Sequence, residues 1–176
     1  MKPQLFPNYL LTMMVILIAV FFIFNSNSIF TQATVSPKWN MEDIDATKNG
    51  NAIHSLYLLE TNSNPTPFQA SARDILTKPA NYFGKYLQIS GTVKIVQPYS
   101  LQNSILSFTI GNSSEIIMIS SDNSAIIDCL VINSSGNNIY IGRNATIYGY
   151  TPGVRYVQNS QGAIITELVI IGRISS

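Results

Sequence analysis

Charge is what this chain has least of. Lys, Arg, Asp and Glu make up 11% of its 176 residues, against about a quarter in an ordinary soluble protein. Charged disordered tails and long coiled coils both need more, so neither describes the bulk of the chain. The net charge is +1, which leaves no general electrostatic drive toward nucleic acid or an acidic membrane surface. There is one Cys and one His. An internal disulfide and a cysteine-based zinc site are therefore excluded. The length suits one ordinary domain with an appendage rather than two full domains.

Catalytic signatures are missing too. The sequence contains no G-x-S-x-G, G-x-G-x-x-G, H-E-x-x-H or C-x-x-C, each of which would carry a recognised chemistry. Gly84-Lys85 lacks the earlier glycine of a phosphate loop, because Pro79 holds that position. His54 lies beside Ser55 with no acid at a telling spacing, so a packed or solvated surface histidine is the simpler reading. Cys129 sits inside the apolar run 126–132, the setting of a core residue rather than a reactive thiol. Glu115, Asp122, Asp128 and Glu167 are too scattered along the chain to argue a carboxylate pair. The expectation is a protein without enzymatic activity, metal or cofactor.

What is present begins with an apolar run. Residues 9–24 (YLLTMMVILIAVFFIF) carry no charge. Crossing the hydrocarbon core takes about 20 residues, a length reached by extending through Ile29 and Phe30. Lys2 and the α-amino group are the only flanking charges on the N-terminal side, and no basic residue follows until Lys38. This bias predicts residues 1–8 in the cytoplasm, 9–30 as a single transmembrane helix in the cell membrane, and the rest outside. A cleaved secretory signal is the competing reading, with small residues at Ser26 and Ser28 or at Thr31 and Ala33. The run is longer than the usual signal core of about 7–15 residues, which favours an anchor over a secreted product.

Residues 31–70 read as a spacer. Asn49-Gly50-Asn51 is a turn signal. Ile53, Leu56, Tyr57 and Glu60 have helical spacing, with Asn51 as a possible cap of a short helix that docks on the domain. The polar stretch from Thr61 to Pro67 then breaks regular structure. From Ser71 the pattern changes. Ser71 with Asp74 three residues on resembles a capping box, and Pro79 and Gly84 close a helical lead-in over 71–83.

The remainder, within a domain spanning 71–176, reads as β. Over 85–97, Leu87, Ile89, Gly91, Val93 and Ile95 alternate with polar residues, and Gly91 offers a place for a bend or bulge. Strands are also predicted over 104–110, 115–120, 145–150 and 163–174. Residues 125–132 read as a buried strand or short helix. Gly111 to Ser114, Ser134 to Asn138, Pro152-Gly153 and Asn159 to Gly162 supply turns. Short strands at this spacing with one helical lead-in predict a mainly β fold, a small closed five-stranded barrel.

The stretch from Ala72 to Val93, read as helix, Pro, Tyr, Gly-Lys, alternating strand and Gly-x-Val, resembles the opening of exported or membrane-anchored bacterial OB-fold (tRNA-anticodon-like OB) domains. Ala145 to Tyr150, followed by Pro152-Gly153 and Tyr156, is similar to their fourth strand and turn. The resemblance covers about 71–174. It implies an OB-like barrel and is nearly silent on activity. An OB-fold presents ligands to its second and third strands and the adjoining loops. The side chains this places in view are Lys94, Tyr99, Phe108, Tyr150, Arg155 and Tyr156, which combine aromatic rings with cations. Residues 71–176 hold only two more basic than acidic groups, a weak funnel that argues against nucleic acid. The functional expectation is a non-catalytic binding module held outside the membrane, with a protein, peptide or glycan partner. Alternatives are an assembly component of an envelope complex, a secreted OB-fold protein, an oligosaccharide or single-strand binder, and an exported hydrolase with an unrecognised site.

Overall fold

The computed structural model describes residues 38–98, 113–132 and 139–175. The expected membrane segment 9–30, the expected strand at 104–110 and the turn at 134–138 lie outside the described residues. Among those described, no helix is long and apolar enough to cross a membrane. The fold is mainly β: the described residues form a six-stranded mixed sheet with two short α-helices and one 3-10 turn.

Helix α1 spans Asn51–Thr61 and is followed by the two-residue strand β1, Phe68–Gln69. Helix α2 spans Ala72–Thr77, and a 3-10 turn over Pro79–Tyr82 leads into β2, Leu87–Pro98. Strands β3 (Ser114–Ser120), β4 (Ile126–Val131), β5 (Asn144–Gln158) and β6 (Ile164–Ile174) complete the set. Helix α2 starts where the sequence says it should. The Ser71 hydroxyl accepts from the Asp74 amide at 3.0 Å, satisfying one of the free N–H groups of the first turn. Residues 125–132 resolve as a buried strand, β4, because both its edges find partners.

The sheet order is β1-β2-β3-β4-β6-β5, and β2 also pairs with β5. Strands β2, β3, β4, β6 and β5 thus form a closed ring of pairings. All are antiparallel except β4 with β6. Leu87, Ile89 and Val93 of β2, Ile116 and Met118 of β3, Ile127 and Cys129 of β4, Ile147 of β5 and Leu168 and Ile170 of β6 share one core, which Ile75 of α2 enters.

Two details of β2 and β5 depart from the sequence expectation. The bulge in β2 falls between Val93 and Ile95, not at Gly91. The extra residue flips the side-chain phase, so Ile95 is exposed and Val96 packs on the core instead. Pro152-Gly153 is not a turn. It sits inside the fifteen-residue β5, in the irregularity between Tyr150 and Gly153. A proline donates nothing to a ladder, so a bulge is one of the few places a strand tolerates it.

Residues 38–62 lie against this irregularity. Asp45 bridges Val154 in parallel, with the Ala46 amide donating to the Val154 carbonyl and the Val154 amide to the Ile44 carbonyl, both at 2.8 Å. The Asn49 carboxamide donates to the Pro152 carbonyl at 2.7 Å and to the Asp43 carbonyl at 3.1 Å. Gly153 has φ +137°, and a Cβ there would meet the Ile44 carbonyl oxygen. Only glycine allows the segment to lie this close. Helix α1 runs three turns and begins after Gly50. Asn51 does not cap it: its side chain turns back to the Asn40 backbone at 2.8 and 3.0 Å. The buried face is Ser55, Leu56 and Leu59, while Ile53 and Tyr57 are exposed. Leu56 and Leu59 join Ile132, Tyr150 and Ile171 in a second core on the sheet's other face. Burying each leucine contributes about 1.5–3 kcal/mol.

Candidate functional site

Strand alternation sets the site. Ile116, Ile127, Val154 and Leu168 are buried, so their neighbours Glu115, Asp128, Arg155 and Glu167 fall on the opposite face of the sheet. Register then brings them together. Arg155 stands opposite Glu167, and Gln97 opposite Glu115. The guanidinium reaches three carboxylates: Nη1 lies 3.0 Å from Asp128 and 3.3 Å from Glu115, and Nη2 lies 2.8 Å from Glu167. Arg155 Nε donates to the same Glu167 oxygen at 3.1 Å. Gln97 donates to the second Glu115 oxygen at 2.6 Å. Each of the five ring strands contributes one member of this network.

The electrostatics are lopsided, with three carboxylates around one cation. The Asp128 side chain is only 9% exposed. Burial pushes its carboxyl up to about 7; Arg155 opposes the rise, while the charges of Glu115 and Glu167 and a hydrogen bond with Glu115 add to it. For Arg155, burial works against the charge, but the bond to Glu167 and the charge of Asp128 outweigh it and hold the guanidinium above its usual value.

A cavity of about 170 Å³ opens beside the network. Ala46, Thr47 and Ala52 form its roof, and Leu130, Pro152, Val169 and Ile171 its apolar wall; Glu115, Asp128 and Arg155 form the polar wall. Binding pockets for whole small molecules run to roughly 300–1,000 Å³, so this one suits a single side chain. A second cavity of about 220 Å³ is lined by Gln69, Ser71, Gln88, Ser90, Ser120, Ser121 and Asp122. Its carboxylate is committed to the local turn. Hydrogen bonds from Ser120 and Ser124, at 2.6 and 2.7 Å, hold Asp122 down at about 2.

Of the residues named from sequence, Arg155 is the hub of the network. Tyr150 is 1% exposed and belongs to the second core, beneath α1, where its hydroxyl accepts from Asn62 at 3.2 Å. Its ring is not presented at the surface. Lys94 is exposed at the β2 bulge. Tyr156 is half exposed and, by alternation, faces away from Arg155. Tyr99 and Phe108 lie outside the described residues. His54 packs edge-on to Trp39, with ring centroids 5.8 Å apart. Cys129 is fully buried. Among the described residues, no group of three His, Cys, Asp or Glu side chains is placed to hold a metal ion.

Glu115, Asp128 and Glu167, too scattered along the chain to be paired from sequence, are brought together by the sheet, and Gln97 joins them. A signal was available in two of them. Asp128 in IIDCLVI and Glu167 in IITELVI are lone carboxylates in apolar, β-branched runs, and a carboxylate there needs a partner. No protein-family model and no curated protein matches the chain.

Proposed function

We propose that this chain is a non-catalytic binding module, an OB-like barrel displayed outside the membrane by residues 9–30. It takes one side chain of a partner protein into the cavity beside Arg155. That cavity carries the reading, because it pairs an apolar wall with a carboxylate-rich end. An occupant with an apolar stem and a cationic tip, a lysine or arginine of the partner, matches both. The barrel reading is supported by the ring of pairings, since β2 bonded to both β3 and β5 is how a five-stranded sheet closes on itself. The outside placement rests on the charge bias around the apolar run.

The closeness of Asp128 to Glu115 favours a second reading, an exported hydrolase using a carboxyl pair. Two facts weigh against it. The cavity is too small for a sugar ring with its neighbours, and Arg155 occupies both carboxylates.

The test uses the full chain in its host membrane, with a photo-crosslinking residue at Thr47, and the Ala52→Trp variant to fill the cavity. One protein partner that crosslinks from the outer side and disappears with Ala52→Trp is the expected result. Crosslinking indifferent to Ala52→Trp, or absent, overturns the reading.

A further inference from the structure

We propose that Asp128 and Glu115 share one exchangeable proton, and that its loss changes the charge of the Arg155 face and weakens the seam joining β3, β4, β5 and β6. The proposal stands on the cluster and does not depend on the identity of any partner.

Both carboxyl groups lie against the same guanidinium nitrogen, Arg155 Nη1, at 3.0 and 3.3 Å. Two carboxylates held against one guanidinium nitrogen repel each other, and a proton shared between them relieves that repulsion. Asp128 cannot escape into water, because its side chain is 9% exposed. Strand β5 supplies one cation, Arg155, and β6 supplies a third carboxylate, Glu167, already taken by Nε and Nη2. Strand β2 supplies uncharged Gln97. In the overlying segment, Asp45 and Lys48 pair with each other at 2.8 Å, and the residues facing the cavity are Ala46, Thr47 and Ala52. One positive charge thus serves three carboxyl groups. With the proton bound, the cluster carries one net negative charge; without it, two.

The burial that raises the Asp128 carboxyl to about 7 sets the range in which the proton leaves. The folded protein holds this proton and the unfolded chain, with an ordinary carboxyl, does not. Stability therefore falls as pH rises from the usual carboxylate range through about 7, and is flat above it on this account.

The experiment titrates the full chain in detergent micelles, with aspartate carboxyl carbons labelled with 13C, from about pH 5 to about pH 8. One resonance should titrate with a midpoint of about 7 and be absent from Asp128→Asn. The Tm of the native chain should fall over the same range, while that of Asp128→Asn stays level. Glu167→Gln keeps the proton-sharing pair and provides a check if Asp128→Asn does not fold. Removing that neighbouring charge should move the midpoint down by about half a unit or more. No aspartate carboxyl titrating above about pH 5.5, or a midpoint unmoved in Glu167→Gln, overturns the proposal.

Discussion

Replacing Arg155 by Met tests the network most directly. Methionine keeps an unbranched apolar stem and removes the charge with all five donors. It leaves Glu115, Asp128 and Glu167 facing one another, with side chains 18%, 9% and 12% exposed. Removing one partner of a buried ion pair costs about 3–5 kcal/mol, because the remaining charge stays buried without compensation. For a unit of this size that lowers Tm by about 10–15 °C. The cost depends on pH. Arg155 is what opposes the rise at Asp128, so without the cation the Asp128 carboxyl holds its proton more tightly in the folded state. Protonation at low pH relieves the repulsion, and the penalty grows as pH rises. Thermal unfolding of the full chain in micelles, followed by near-UV circular dichroism, should give the full loss at about pH 8 and less than half of it at about pH 5. A loss under about 3 °C at the higher pH, or an equal loss at both, refutes the reasoning. Arg155 would then behave like an exposed ion pair, worth about 0–1 kcal/mol.

Three further outcomes are expected. Gly153→Ala puts a Cβ against the Ile44 carbonyl at φ +137°; hydrogen exchange at the Ala46 and Val154 amides should quicken by about tenfold or more while the β3–β4 amides stay protected. Unchanged exchange at Ala46 would show that the segment shifts without losing its bonds. Leu59→Ala removes a 3% exposed side chain from the second core and should cost about 2–4 kcal/mol in urea unfolding, with the slope unchanged. Cys129 is fully buried and its thiol is pushed well above its usual value by burial, so thiol labelling should proceed only through unfolding and accelerate with denaturant; rapid labelling in native buffer contradicts this.

The parts of the fold that were legible are those where one local rule decides. Ser71 and Asp74 announce the start of α2, and the alternation from Leu87 to Val93 announces β2 and its buried face. Legibility fails where a second segment overrides the local pattern. Ile95 continues the alternation in sequence, but the added bulge residue turns it outward. Pro152-Gly153 looks like a turn because its lack of a ladder donor and its positive φ suit one. It stays in a strand because Ile44 to Asn49 supply the hydrogen bonds the irregularity needs. Tyr150 read as a surface aromatic because nothing local says that α1 folds over it. The site was the hardest to read. Glu115, Asp128 and Glu167 converge on Arg155 only through the pairing of β3 with β4 and of β6 with both β4 and β5, and such register is a property of the whole sheet.

The bond from Asn49 to Pro152 joins residues 103 positions apart, and this has a consequence for the order in which the protein forms. Contacts of such separation must close long loops before they contribute anything, which slows folding. Helix α1 packs chiefly on β5 and β6, the last of the described strands. A chain emerging N-terminus first from a ribosome or a translocon presents Leu56 and Leu59 early and completes their partners Tyr150 and Ile171 much later. Helix α1 must therefore wait for strands made long after it, and throughout that interval its apolar stripe is open to any chaperone that meets it.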